Sequence, residues 1–516
     1  MKTVFLLFDT LNRRALEPYG GTSVKTPNFS RLAERSVTFE KHYAGSLPCM
    51  PARRDLQTGR LNFLHRSWGP LEPFDNSFPE LLGRAGVYTH LVSDHYHYWE
   101  DGGATYHNRY ATYEFIRGQE GDAWKAMVEP PWERLREKYH KVQRGEGLRD
   151  YRRKNIVNRE FIRDEDEFPS VRCFAAGFDF LDRNREADNW FLQIECFDPH
   201  EPFTAPARFR KDYPTNYSGP ILDWPPYARV TELPEECAEL RANYAAILAM
   251  CDELLGRLLD YFDAHDLWRS TALIVGTDHG FLLGEHDWWA KNRMPCYEEV
   301  AHIPLFVHHP EFRSAAGARR RSLTATMDLM PTILELHGVD MPQNVLGRSL
   351  LPALAGEAKL HEGVLYGVWG SATNLADGRY TYFRFPEAIS GQEIYNYTLM
   401  PAHIATFFHP SELGKARLSE PFSFTKGVPL LKIPGTEKSS LPKGLYVDHE
   451  TVLFDIERDP EQLRPLDDPE TEARLAALMA RLMNEADAPP EAFSRLGLPV
   501  PEEARVRGRL VAQGAA

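Results

Sequence analysis

TVFLLFDT, residues 3–10, is a short apolar run that stops on Asp9. A run of this length, closed by a polar residue, reads as a strand buried on both faces. A signal peptide with Lys2 as its charged head is the alternative. Val4–Phe8 is too short for that, Asp9 ends it, and no small-residue cleavage site follows. The same pattern returns in VYTHLVSDH (87–95), NWFLQIECFDPH (189–200), TALIVGTDHG (271–280) and HIPLFVHHP (302–310). Each is apolar and then polar at its carboxyl end. Helical patterns lie between them, the clearest at 236–265. Strands alternating with helices predict an α/β fold, a central mostly parallel sheet flanked by helices. Functional side chains in such sheets gather at the carboxyl ends of the strands.

After about residue 360 the pattern changes. GVLYGVW (363–369), GRYTYFRF (378–385) and ETVLFDIE (450–457) predict shorter strands, LPKG and IPGTEKSSLPKG turn-rich connections, and 469–487 a helix. We therefore expect a catalytic α/β domain over 1–362, a smaller α+β subdomain over 363–487 and an extended tail over 488–516. The tail is a candidate clasp for a second copy of the chain. The Pro-rich stretch 201–234 predicts a long surface loop near the site end.

Net charge is −14, which argues against nucleic acid or an anionic membrane as the main partner. A small anionic substrate is not excluded, because it responds to the local field of its site. No run is long enough to span a membrane. The six cysteines, at 49, 173, 196, 237, 251 and 296, form no CxxC and no dense framework. With no export signal, they imply reduced thiols in a cytoplasmic protein.

SLPCMPARRDLQTGR (46–60) sets Cys49 between two prolines with Arg53 and Arg54 downstream. Pro51 suits the first turn of a helix that stops near Gly59, which puts Cys49 at a helix N-terminus. Such a position lowers a thiol pKa or stabilises an oxyanion. A buried structural cysteine is the competing reading, made harder by the two arginines. Asp9 ends one strand; Asp278 and His279 end another. Carboxylates and an imidazole from separate strand ends suit a divalent cation, although each Asp could equally cap a helix.

With these residues in hand, the chain resembles the type I sulfatases of the alkaline phosphatase superfamily. CMPAR matches their C-x-P-x-R signature, and TGR follows it. The FD ending of the first strand, TDHG, GEHDWWAKNRMPCYEEVAHIPL and FDIERDPEQ follow the family order over roughly residues 1–490. The resemblance implies an alkaline-phosphatase-like sheet and hydrolysis of sulfate monoesters. It also implies that a formylglycine-generating enzyme oxidises Cys49 to 3-oxoalanine (formylglycine), reading Pro51 and Arg53. The hydrated aldehyde is then the nucleophile, supported by Arg53. The implied metal ligands are Asp9, Cys49 in its modified form, Asp278 and His279. Lys291, thirteen residues after Asp278, takes the place of the sulfate-binding lysine, and His200 that of the leaving-group histidine.

Thr10 stands where many sulfatases have a second aspartate, and His279 where many have asparagine. Both departures resemble phosphonate monoester hydrolases. They shift the expected ion from Ca²⁺ towards Mn²⁺, since imidazole is a poor ligand for a hard cation. SDHYHYWEDGG replaces the family's Lys-x-His pair, so Asp94, His95, Tyr96 and His97 are candidate substrate contacts. The expected activity is sulfate-monoester hydrolysis. A phosphonate monoester or phosphodiester hydrolase on the same scaffold is the alternative, and a non-catalytic binder of sulfated ligands the alternative of another class.

Overall fold

The computed structural model describes residues 1–293, 295–435 and 449–511. Most of the predicted IPGTEKSSLPKG connection lies outside them. Eight strands form the main sheet. In chain order the first six are β1 (Lys2–Phe8), β2 (Val37–Tyr43), β3 (Tyr88–Ser93), β4 (Thr112–Phe115), β5 (Trp190–Cys196) and β6 (Thr271–Thr277). Strands Leu305–His308 and Arg319–Ala325 complete it. β1 sits in the middle, parallel to β5 on one side and to β6 on the other. β3 follows β5, and β4 closes that edge, both parallel.

β1 shows why this sheet reads as continuous apolar sequence. Successive side chains leave opposite faces. Val4, Leu6 and Phe8 pack towards helix Pro234–Ala264, with Leu255 and Leu258 in the same core. Phe5 and Leu7 pack on the other face with Ile274, Met330 and Ile333. Both faces are dry, so no alternation survives in the sequence. The covering helices are anchored by polar contacts as well. Asp252, inside the long helix, accepts from the backbone N–H of Asn28 and Phe29 and so caps helix Pro27–Arg35.

One strand departs from the expected direction. Leu305–His308 lies antiparallel between β6 and β2. Its polar carboxyl end, His308 and His309, therefore points to the edge opposite the other strand ends. His308 is bound there by the carbonyls of Arg35 and Trp268.

Beyond the main sheet, strands Val364–Gly367, Thr373–Ala376, Tyr380–Arg384 and Val452–Asp455 form an antiparallel sheet in that order. Helix Pro469–Glu485 sets Leu475, Met479 and Met483 into its core. A three-stranded sheet adds Tyr395–Thr398, Leu430–Pro434 and Arg417–Ser419. Gly367 exchanges backbone hydrogen bonds with Gly45 and Leu47, which ties the second sheet to the segment leading into Cys49.

Two expectations are corrected. The tail is not a free arm: Ala488, Ala492, Phe493, Leu496, Leu498 and Ala504 are buried in the core of the second sheet. Nor is 201–234 only surface, since Phe203, Leu222 and Trp224 are buried and the stretch carries a short helix, Ala207–Arg210. Among the described residues no helix is long and apolar enough to cross a membrane.

Candidate active site

The carboxyl ends of β6, β1, β5 and β3 lie side by side and deliver Asp278 and His279, Asp9, His200, and His95 respectively. The turn after β6 needs its glycine. A Cβ at Gly280 would lie 2.0 Å from the Glu299 carbonyl oxygen. Cys49 arrives from the other direction, as the first residue of helix Cys49–Thr58. That helix ends at Gly59 in the left-handed conformation, as the sequence predicts.

Ligand atoms of Asp9, Cys49, Asp278 and His279 all lie within 4.8 Å of one another. Cys49 Sγ is 3.2 Å from His279 Nε2. The Gly280 carbonyl accepts from His279 Nδ1 at 3.0 Å, so the proton sits on Nδ1 and Nε2 presents its lone pair to the cluster. Burial lowers the His279 pKa to about 4 and keeps the ring neutral.

Arg53 organises the carboxylates. Its Nη2 donates to Asp9 at 2.8 Å, its Nη1 to Asp278 at 2.6 Å and its Nε to Glu195 at 2.7 Å. Burial alone would raise the Asp9 pKa, yet Arg53 and Lys291 outweigh it and hold the group below the ordinary carboxylate range. Lys291 is 1 % exposed. Its Nζ donates to Thr10 Oγ1 at 2.8 Å and lies 3.6 Å from Cys49 Sγ. Burial works against its charge, but the Glu201 and Asp9 carboxylates help to raise its pKa. Burial and then the Asp9 carboxylate push the Cys49 thiol well above its usual value, so it stands as a neutral thiol.

His200 is placed but not charged. Its Nδ1 donates to the Glu201 carbonyl at 2.6 Å, and burial, then Lys291, hold its pKa well below the usual value. The 94–97 loop divides. Asp94 turns away and accepts from the Phe197 N–H at 2.7 Å, shaping the turn that carries His200. The Tyr96 hydroxyl bonds Glu120, and His97 pairs with Glu100. His95 alone offers unused chemistry: it is fully buried, and neither ring nitrogen has a partner among the described residues.

Sequence reasoning missed Glu195, which also accepts from the Tyr98 hydroxyl at 3.0 Å. A signal existed, because an acidic residue inside the apolar run of β5 must find a partner. Glu120, Glu201 and Tyr227, contributed by loops, carried no such signal.

Fold and site together define an enzyme class in which a mostly parallel sheet flanked by helices gathers buried carboxylates, an imidazole and a thiol at its carboxyl edge. Residues 2–339 match the sulfatase family, and residues 284–412 match the family described as N-sulphoglucosamine sulphohydrolase, C-terminal. The chain belongs to the sulfatase family, within the alkaline phosphatase superfamily, and is a sulfuric ester hydrolase. It is 24% identical to an N-acetylglucosamine-6-O-sulfatase of Bacteroides thetaiotaomicron, over 69% of this chain and 71% of that one. It is 25% identical to a choline-sulfatase of Rhizobium meliloti, over 73% and 77%. A phosphonate monoester hydrolase structure from Silicibacter pomeroyi superposes with a TM-score of 0.63 at 19% identity, covering 94% and 96%.

Proposed function

We propose that the protein hydrolyses sulfate monoesters through a formylglycine formed from Cys49, with a divalent cation held by Asp9, Asp278, His279 and the modified residue. The observation that carries this is the approach of Cys49 Sγ to both His279 Nε2, at 3.2 Å, and Lys291 Nζ, at 3.6 Å, inside the ligand cluster. The donor set fits a cation. Three buried carboxylates, Asp9, Asp278 and Glu195, face two cations, Arg53 and Lys291, which leaves negative charge in excess. The neutral His279 nitrogen favours Mn²⁺ over Ca²⁺. A cation bound there lowers the pKa of the nucleophilic hydroxyl and neutralises oxygens of the transferred group.

Once oxidised and hydrated, residue 49 would attack sulfur through a hydroxyl that has already released its proton to solvent, and the bond from sulfur to the ester oxygen would break. The departing alcohol takes a proton, for which Lys291 is the donor. His200 cannot be, while neutral, because its only proton is committed to the Glu201 carbonyl. The second hydroxyl of the modified residue would then return a proton to Lys291, whose Nζ lies 3.6 Å from Cys49 Sγ, and carbon–oxygen cleavage would release sulfate and restore the aldehyde. Water rehydrates it. Arg53 binds Asp9 and Asp278 and bonds the Cys49 carbonyl at 3.1 Å.

Thr10 and His279 favour a second reading, phosphonate monoester or phosphodiester hydrolysis, since a single-charged tetrahedral phosphonate ester resembles a sulfate ester. Maturation by a formylglycine-generating enzyme belongs to either. Six free, buried cysteines support a reducing, cytoplasmic setting. The test is side-by-side kcat/KM for matched sulfate, phosphonate and phosphate esters on protein verified as modified. Sulfate turnover at or above the others is expected. Absence of any turnover leaves only a binding protein.

A further inference from the structure

Two buried glutamates beside the site take no part in the chemistry above. Glu201 follows His200, and Glu120 comes from the loop after β4. Each is held by a tyrosine. The Tyr227 hydroxyl donates to Glu201 Oε1, and the Tyr96 hydroxyl bonds the Glu120 carboxylate. Each keeps Oε2 without a hydrogen-bond partner among the described residues, although the two residues are only 1% and 9% exposed. His200 Nδ1 lies 3.2 Å from Glu201 Oε2, but its proton points at the Glu201 carbonyl. Burial raises both carboxyl groups, Glu201 to about 7, and in each case the Lys291 ammonium acts in the opposite sense. Both glutamates lie at the turn that carries His200: Glu201 follows it directly, and Gln119, the neighbour of Glu120, donates to Asp198 in that turn at 2.8 Å. Glu120 also adopts a positive φ of 36°, a strained conformation for a residue with a side chain.

A buried carboxylate oxygen with no donor is costly, so such atoms call for a ligand. We infer that the site takes sulfate esters whose alcohol part carries a protonated amine, bonded through its N–H groups by Glu120 Oε2 and Glu201 Oε2. This rests on the sulfatase reading. An aryl leaving group would leave both oxygens unpaired in an even drier pocket. A polyol supplies donors but no charge to offset two carboxylates. A quaternary ammonium supplies charge but no N–H. A primary ammonium supplies both.

The experiment compares kcat/KM of modified protein for 2-aminoethyl sulfate, ethyl sulfate, choline sulfate, glucosamine 6-sulfate and glucose 6-sulfate. Each primary amine ester should exceed its neutral counterpart at least about tenfold, a factor that one charge-assisted hydrogen bond supplies. The ratio should fall towards one in Glu120→Gln and Glu201→Gln. Tyr96→Phe and Tyr227→Phe keep both carboxylates and free a further oxygen, so they should retain the preference even if the glutamine variants fold poorly. Titration calorimetry with the two sugar sulfates on Cys49→Ala protein reads the same ratio without turnover. Equal use of amine and neutral esters overturns the inference, as does a preference untouched by the glutamine variants or a preference for choline sulfate. In each of those outcomes the sulfatase reading stands; it fails only if 4-nitrophenyl sulfate and every other sulfate ester are inert.

Discussion

Arg53 Nε donates to Glu195 Oε1 at 2.7 Å, with neither side chain exposed. The pair fixes one edge of a guanidinium whose other two nitrogens serve Asp9 and Asp278. Lysine carries the charge but not the fork, so it cannot serve three carboxylates at once. Arg53→Lys should cost turnover about a hundredfold or more and lower the melting temperature, because breaking a buried ionic network costs about 3–5 kcal/mol. Glu195→Gln keeps a hydrogen-bond acceptor and should lose less on both counts. Steady-state kinetics and thermal melts check this; a fully active Arg53→Lys enzyme contradicts the arrangement.

Cys49 should be found as an aldehyde. Mass spectrometry of the tryptic peptide containing it should show thiol-to-aldehyde conversion when a modifying enzyme is co-expressed. Cys49→Ala should abolish turnover with folding intact. Full activity in that variant would remove the nucleophile from the mechanism.

Metal dependence should follow the ligand cluster. Chelation should abolish activity, and Mn²⁺ should restore it more fully than Ca²⁺. Metal at a hundred times its Kd should stabilise the stripped protein by about 2.7 kcal/mol. Asp278→Asn should lose that thermal shift along with turnover. A stripped wild type whose melting temperature ignores both ions would count against the site.

Much of this site is visible in sequence for a physical reason. A parallel sheet buried on both faces writes its strands as apolar runs, and Asp9, Asp278, His279 and His200 stand out as the polar residues that end them. Other features depend on contacts that no local pattern encodes. Periodicity does not record direction, so HIPLFVHHP resembles the other strands yet runs opposite to them. In the 94–97 loop, residue type alone could not say that Asp94 turns to the Phe197 N–H while His95 keeps both nitrogens unpaired. The tail is polar enough to look extended, and only the second sheet gives Phe493 and Leu496 something to cover.

Asp252 provides a pH test away from the site. Burial raises its pKa to about 6, against the N–H groups of Asn28 and Phe29 that favour the ionised form. A folded pKa above the unfolded one means stability that is fully present below about 3.8 and lost as pH rises through about 6. The unfolding free energy of wild type relative to Asp252→Asn should therefore fall between about pH 4 and pH 7, by roughly 2 kcal/mol. Denaturant unfolding at several pH values reads this directly. A difference that grows with pH would reverse the sign of the argument.

The proton for the leaving alcohol gives the sharpest division between two neighbours. Lys291 is buried, its pKa raised, and 3.6 Å from Cys49 Sγ; His200 is buried, neutral and bonded through Nδ1 to its neighbour's carbonyl. An alkoxide needs a proton to depart at neutral pH, whereas a nitrophenolate hardly does. General-acid help is worth about 10²–10⁴-fold when it matters. Lys291→Ala should therefore hurt poor leaving groups far more than good ones and steepen the dependence of kcat/KM on leaving-group pKa. His200→Ala should lower kcat/KM by a similar factor across the series, as expected of a side chain that positions the ester without protonating it. A series of aryl sulfates run with wild type and both variants separates the roles. If the steepening appears in His200→Ala instead, the histidine must take up a proton once substrate is bound, and Lys291 is left to bind sulfate alone.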